Sequence, residues 1–417
     1  MMAERHEPVW MRDLRAKAKE RFETMSWPMT SDEEWRRTDV SGINPLSFAP
    51  RSASAAPAGA PTSRVGERNG AAGVLRFESG RLVDSSVSEE WKSRGVRLLS
   101  LDEALEEFEK PLSDILDEAL DAADDRFGVW HYAAWSHGAF LSVPRGLEIK
   151  EPFIMDFSES GDGALSMPHV VVSLGEGARA AVIQRFRGSG DRILCNAGLD
   201  LLLSDAAGLD YFEAQDLGSQ SLFFRSARAR GGRDSSLKHF DAAFGGRLVK
   251  TRIETGLAGR GAEAYLDGVY FCREGQHMDL RTVQRHHSPQ ATSRAYYKGA
   301  VASGGRTVYQ GLIEVDEGAS GTDAYLTNRN LILGDGARSD SIPTLKIGNN
   351  DVRCSHGSTT GRLNEEEMFY LESRGLARAD AREMLVVGYF EDLLARAPEL
   401  YREGALDRIR SRMALAA

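Results

Sequence analysis

The chain has 417 residues, which is long enough for two or three domains. Apolar residues at 41% and charged residues at 27% are typical of a soluble globular protein that buries a sizeable core. The formal net charge of -10 excludes an extended basic track, so we expect no nucleic-acid partner. The cysteines, Cys195, Cys272 and Cys354, are far apart, which excludes a disulfide framework and a zinc site built from CxxC pairs.

The first residues are polar and lead into no apolar segment, so we expect no secretory signal. No run approaches the roughly 18 apolar residues that a membrane span needs. We therefore expect a cytoplasmic protein that does not enter a membrane.

The amino-terminal segment has a helical period, because its apolar residues recur on one face: Trp10, Leu14, Ala18 and Phe22. Pro28 ends this pattern. Ser31 and Glu34 have the spacing of a capping box, which predicts a short second helix.

Residues 49–72 are dominated by Ala, Pro, Ser and Gly, which is typical of a flexible linker. A small mixed region follows. Val74–Phe77 has the composition of a strand, and the apolar residues between Ser100 and Leu120 predict one helix.

From about residue 139 to 360 the sequence consists of short apolar runs separated by glycine-rich turns, which predicts an all-β unit. A loose motif returns four times, with an apolar strand end, a tight turn and a small residue: 174–178, 257–262, 315–319 and 333–337. This repetition favours stacked coils of a β-solenoid over a β-sandwich.

The carboxy-terminal segment is helical. Asn364 can cap a helix whose first turn carries three glutamates, and Gly375 is suited to the position just after its end. A second helix is expected from about Ala379, and Pro398 separates it from a third.

Several enzyme motifs are missing. The nearest string to a phosphate-binding loop, 245–251, lacks the glycine before its lysine, so we expect no ATP hydrolysis by this chain. A dinucleotide-binding fingerprint, a nucleophile elbow and an HExxH motif are also missing from the sequence.

Cys354 and His356 are two residues apart, so in a strand both would project from the same face. A thiolate and an imidazole can both bind iron or a soft divalent metal, but two ligands are half of a site. The alternative is a buried cysteine beside a hydrogen-bonded histidine.

The other histidine pair, His286 and His287, would face opposite ways in a strand and cannot form one bidentate site. Cys195 and Cys272 lie in apolar strand-like runs, and we expect both in the core. In the carboxy-terminal helices, apolar residues extend beyond one stripe around Val386 and Tyr389. This pattern predicts packing on the protein's own core or a groove for a partner.

Many ordered strings resemble the SufB/SufD family of iron–sulfur cluster assembly proteins. The similarity is dense over residues 294–395 and also includes Glu34–Asp39 and the His286-x-x-Pro289 element. The strings are RAYYKG (294–299), VYQGLI (308–313), TDAYLTNRNL (322–331), CSHGSTTG (354–361) and MFYLESRG (368–375). The form Cys-Ser-His-Gly at 354–357, without a cysteine cluster near the start, is most similar to SufD.

This resemblance implies a mainly β fold, a right-handed parallel β-helix flanked by helical terminal domains. The expected boundaries are an amino-terminal helical segment (1–48), a linker (49–72), a mixed region (73–138), the β-helix (139–360) and a carboxy-terminal helical domain (361–417).

The resemblance also implies a non-catalytic scaffold subunit in the cytoplasm. Its partners would be a SufB-like subunit at the β-helix edge and a SufC-like ABC ATPase, which would hydrolyse ATP. The expected ATPase-binding residues are on the carboxy-terminal helices: Phe369, Tyr370, Leu385, Tyr389 and Phe390.

His356, with Cys354 beside it, matches the family position that helps to form a transient iron–sulfur cluster shared with SufB. The sequence does not decide whether a flavin binds the complex. An isolated chain is expected to form a homodimer through the same edge. Two alternatives remain, a structural subunit that never touches the cluster and a β-helix enzyme that acts on polysaccharides.

Overall fold

A computed structural model describes residues 7–50, 70–189 and 192–414. Most of the predicted linker, 51–69, therefore lies outside the described residues. The α-helices are α1 (Val9–Thr24), α2 (Glu89–Ser93), α3 (Leu101–Glu107), α4 (Glu109–Ala122), α5 (Arg126–Ala134), α6 (Glu365–Ser373), α7 (Arg378–Leu394) and α8 (Glu399–Ala414). None of these helices has the combination of length and apolar character that would let it cross a membrane.

The strands make up most of the fold. In chain order they are β1 (Ala49–Pro50), β2 (Gly73–Glu78), β3 (Arg81–Val87), β4 (Arg97–Ser100), β5 (His137–Val143), β6 (Phe153–Ser160), β7 (Ala164–Ser166), β8 (Pro168–Leu174), β9 (Arg179–Ser189), β10 (Ile193–Leu203), β11 (Gly208–Asp216), β12 (Leu222–Gly231), β13 (Ser236–Ala243), β14 (Leu248–Leu257), β15 (Glu263–Cys272), β16 (His277–His286), β17 (Thr292–Val301), β18 (Arg306–Val315), β19 (Thr322–Ile332), β20 (Arg338–Ile347) and β21 (Val352–Arg362).

Successive long strands alternate between two sheets. Sheet A runs in the order β20-β18-β16-β14-β12-β10-β8-β5-β4, and sheet B in the order β21-β19-β17-β15-β13-β11-β9-β6-β2-β3. All neighbours from β5 and β6 onward pair in parallel. The chain therefore winds as a parallel β-helix with helices at both ends, and the predicted fold class is confirmed.

The recurring turn motif marks the corners of these coils. Gly177 and Gly261 lie in two copies of the motif with φ of 65° and 71°. This left-handed backbone suits glycine, which has no Cβ to clash. The stacked turns are also hydrogen-bonded from coil to coil, because the amide of Gly177 donates to the carbonyl of Asp205 in the next turn.

The interior of the β-helix holds large aromatic side chains opposite glycines. A Cβ on Gly268 would lie 2.1 Å from the ring of Tyr297, and a Cβ on Gly299 would lie 2.0 Å from the ring of Tyr270. Each glycine thus makes room for a tyrosine from an adjacent coil. These tyrosines, each 1% exposed, fill the space between the sheets.

One ion pair joins the sheets across this interior. Arg225 on β12 donates from Nε to Oε1 of Glu213 on β11 over 3.1 Å, and both side chains are buried. Removing either charge would leave the other uncompensated in the core, which makes the pair hard to change by single substitution.

The amino-terminal region differs in two places from the prediction. The expected helix over 100–120 is wrong as a single element, because the chain breaks at Phe108 between α3 and α4. Pro111, in the first turn of α4, has no amide hydrogen to continue the earlier helix. The predicted capping box at Ser31 is also wrong. Glu33–Trp35 forms a 3-10 helix after Asp32, without a side-chain cap.

Strands of the mixed region extend the two sheets rather than forming a sheet of their own. β2 pairs in parallel with β6, and β4 pairs antiparallel with β5. Ala49–Pro50, at the start of the predicted linker, pairs with β7.

The carboxy-terminal helices follow the sequence prediction closely. The Asn364 side chain accepts a hydrogen bond from the Glu366 amide at the start of α6. Gly375 follows the end of that helix with φ of 95°. The apolar side of α7 and α8 packs on the outer face of sheet B, in a core with Phe240 and Phe271.

Candidate functional site: the open end of the β-helix

β20 and β21 are the last strands of their sheets, and together they form the open end of the β-helix. Among the described residues, no strand pairs with the outer edge of either one. They have 10 and 11 residues, which is long for edge strands. Long edge strands with free backbone groups are templates for pairing with another chain.

Both predicted ligands lie on β21. Cys354 is in register with Ala324 of β19, and His356 with Leu326. Ala324 and Leu326 are each 1% exposed and belong to the interior core. Residues in register on parallel strands share a face, so Cys354 and His356 belong to the inner face of the last coil.

The open end gives these two residues different surroundings. Cys354 is half-buried against the interior core, whereas His356 is exposed. Burial raises the pKa of the Cys354 thiol, although a backbone hydrogen bond from Ala324 acts in the opposite direction. A metal that binds Cys354 must therefore displace its proton, while the exposed imidazole of His356 is accessible.

Cys354 and His356 form an incomplete site. Over the ranges that the structure describes, no group of three or more His, Cys, Asp or Glu side chains could hold a metal ion. Thiolate and imidazole suit iron, so the donor types fit an iron–sulfur cargo. Two donors do not complete the coordination of an iron–sulfur cluster, so a second chain would have to supply further ligands.

The remaining cysteines and the histidine pair are placed as the sequence predicts. Cys195 and Cys272 are each 0% exposed in the interior. His286 is buried, with Nε2 2.8 Å from the Ser293 hydroxyl, while His287 is exposed, with Nδ1 2.8 Å from Asp316. The two histidines thus have separate surroundings.

The predicted partner residues of the carboxy-terminal helices divide into two groups. Phe369 and Tyr370 on α6 are 71% and 56% exposed. Leu385 and Tyr389 on α7 are half-buried. Phe390 is 0% exposed and packs in the core between α7 and sheet B.

Phe390 is therefore corrected from a partner contact to a core residue in this conformation. Met384, six residues before Phe390 on the same helix, is 53% exposed. Sequence spacing alone could not show which side of the helix faces sheet B.

The fold and the open end define a class of protein, a β-helix with donor residues at an unpaired edge. The family model described as "SUF system FeS cluster assembly, SufBD core domain" matches residues 157–389, which is more than half of the chain. The chain therefore belongs to the SufBD family of iron–sulfur cluster assembly proteins.

Curated relatives carry the same family description. An iron–sulfur cluster assembly SufBD family protein of Mycobacterium tuberculosis is 32% identical over 280 residues, covering 65% of this chain and 70% of the relative. One from Mycobacterium leprae is 30% identical, with 65% and 71% covered. One from Staphylococcus haemolyticus is 24% identical over 411 residues, with 95% and 88% covered.

Proposed function

We propose that the chain is a SufD-type scaffold subunit that pairs with a SufB-like subunit and docks a SufC-like ATPase. The observation that carries this proposal is the placement of Cys354 and His356 on the last coil, where no further strand follows in the described part of the chain. A partner that pairs with this edge would bring its own ligands beside these two.

In this proposal the chain's contribution is ligation and not catalysis. The nascent cluster is cargo held between two subunits, and it leaves when assembly is complete. His356 is the more accessible ligand of the two, because its side chain is exposed whereas that of Cys354 is half-buried. Cys354 would bind as a thiolate, so binding of the metal would release the thiol proton.

The ATPase surface is proposed on α6 and the adjacent side of α7. Phe369, Tyr370 and Met384 are exposed side chains with large apolar surfaces on α6 and α7, two helices that contact each other. Exposed aromatic residues of this kind are common at the centre of protein interfaces. A SufC-like subunit that covers them would bury apolar surface that is otherwise in contact with water.

Binding of each partner tests the two surfaces separately. The chain is mixed with a SufB-like or a SufC-like subunit, and complex formation is followed by size-exclusion chromatography and calorimetry. Phe369→Ala should weaken binding of the SufC-like subunit alone. Ile347→Lys, at an exposed apolar position of β20, should weaken pairing with the SufB-like subunit alone.

Leu46→Lys is a matched control, because Leu46 is an exposed apolar residue in the amino-terminal region. Equal binding by all of these variants would contradict the proposed surfaces. A self-association of the isolated chain that Ile347→Lys abolishes would identify the same edge as the homodimer contact.

A purely structural role is the second candidate. It is favoured by the lack of a set of three or more donor side chains among the described residues. In that case the partner would supply every ligand, and variants at Cys354 and His356 would leave the cluster unchanged.

A further inference from the structure

The sequence motif at Glu34–Asp39 belongs to neither proposed surface. Residues 33–38, here named the strap, cross the outer face of sheet A. The Trp35 side chain, 3% exposed, anchors the strap, with its ring stacked on Phe127 at a centroid distance of 5.4 Å. The ammonium group of Lys250 lies 4.7 Å from the centre of the same ring.

A buried carboxylate fixes the other end of the strap. The hydroxyl of Thr38 donates to Oδ2 of Asp279, a β16 residue that is 0% exposed. Lys250 donates to the same oxygen over 2.7 Å, and Gln310 donates to Oδ1 over 3.1 Å. A buried carboxylate is stable only when its oxygens are paired, so Asp279 depends on the strap as well as on its own sheet.

Thr38 has a second partner in this cluster. Its oxygen lies 2.9 Å from Nε2 of His277, and because the hydroxyl proton goes to Asp279, the imidazole is the donor of this contact. Loss of the Thr38 hydroxyl would therefore remove one donor from Asp279 Oδ2, which keeps Lys250, and would leave the imidazole N–H of His277 without this acceptor.

The strap contacts four adjacent strands of sheet A, which belong to four successive coils. The Glu34 carboxylate pairs with Arg252 of β14 at 3.2 Å and with Arg281 of β16 at 2.7 Å. Its backbone carbonyl accepts from Gln310 of β18 over 3.2 Å. Further along, Nε of Arg37 lies 3.8 Å from Asp340 of β20, the outermost strand at the open end.

We infer that the strap is a positioning element for the pairing edge: it holds β16, β18 and β20 in the arrangement that the SufB-like partner recognises. This inference rests on the proposed function. β20 has a strand neighbour on one side only, so contacts across its outer face matter more to its position than they do for an inner strand. Thr38 and Asp279 hold the strap in place on these strands.

The substitution Thr38→Val tests the strap, because it keeps the branched shape and removes the hydroxyl. Amide hydrogen exchange is measured on the isolated full-length chain. Exchange in the strap and in β18 and β20 should become about 10- to 100-fold faster, as expected for loss of a hydrogen bond to a charged group. Exchange in β8 and β10 should stay at the wild-type rate.

Thr38→Ser keeps the hydroxyl and should retain wild-type exchange. Thr24→Val is the matched control, because the Thr24 hydroxyl is exposed and bonds to the Arg21 carbonyl of its own helix. Wild-type exchange at β18 and β20 in Thr38→Val would overturn the inference. Equal acceleration in β8, β10 and β20 would also overturn it, because it would indicate general destabilisation.

Pairing affinity completes the test. Thr38→Val should weaken binding of the SufB-like subunit, while Thr38→Ser restores it. Unchanged affinity in Thr38→Val, alongside faster exchange at β20, would overturn the positioning role. If the wild-type chain does not bind that subunit, the proposed function fails, and the exchange data still decide whether the strap holds β20.

Discussion

Lys298 joins the carboxy-terminal helices to the β-helix, and its removal gives a quantitative prediction. It lies on β17, with a buried side chain. Its Nζ donates to the Tyr389 carbonyl and to Asp392 Oδ1, each over 2.6 Å. The ammonium group also lies 4.7 Å from the centre of the Tyr389 ring.

Asp392 needs this lysine for a second reason. It lies in the last turn of α7, where the helix dipole disfavours a carboxylate. Burial acts to raise the pKa of Asp392, but the hydrogen bond and the positive charge of Lys298, together with hydrogen bonds from the Leu393 amide and the Tyr296 hydroxyl, hold the pKa below its usual value. The lysine therefore stabilises both the helix end and its attachment to the sheet.

Lys298→Met keeps the apolar stem and removes the charge. Hydrogen bonds to charged groups contribute roughly 1.5–3 kcal/mol to stability. Because Asp392 is partly exposed, its interaction with Lys298 is weakened by solvent, and we expect Lys298→Met to cost about 2 kcal/mol of stability. The loss concerns attachment of α7 and α8, so their amides should exchange about 30-fold faster, while the inner coils of the β-helix stay protected.

Lys238→Met is the matched control, because Lys238 is an exposed lysine of the same sheet, 3.6 Å from Asp210. The double variant Lys298→Met with Asp392→Asn should lose less than the sum of the two single changes. Wild-type exchange in α7 of Lys298→Met, or full additivity in the double variant, would refute this account.

Two further predictions concern stability. Phe390→Ala should lower the free energy of unfolding by about 3–5 kcal/mol, because it removes a buried ring. Phe369→Ala should change the free energy of unfolding by under about 0.5 kcal/mol. Equal melting temperatures for the two variants would contradict the assigned burial. Burial lowers the pKa of His286 from 6.5 to about 4. Its contribution to stability is therefore complete above about pH 6.5 and is lost toward pH 4, by about 3 kcal/mol. His286→Gln should reduce the fall in the free energy of unfolding between about pH 6.5 and pH 4, measured by urea titration. The same pH dependence in the variant and in the wild type would contradict this prediction.

The β-helix was predictable because its signals are local. Short apolar runs and glycine turns recur along the sequence, and the shared face of Cys354 and His356 follows from their spacing of two in a strand. The cap at Asn364 is equally local, since its partner amide is two residues away.

Other features depend on contacts that the sequence order hides. The strap contact between Thr38 and Asp279 joins residues 241 positions apart. The burial of Phe390 depends on which side of α7 meets sheet B, and helical spacing leaves that choice open. The break at Phe108 has a local cause in Pro111. Apolar residues at helical spacing continue on both sides of the break, so the pattern indicated one helix despite the proline.

The cluster content of the assembled complex tests the central claim most directly. Iron and acid-labile sulfide are measured after assembly with SufB-like and SufC-like subunits. His356→Ala should reduce both by at least about tenfold without dissociating the complex. His287→Ala, which removes an exposed histidine away from the open end, should leave both at the wild-type level. An intact His356→Ala complex with full iron and sulfide would contradict the assignment of His356 as a ligand.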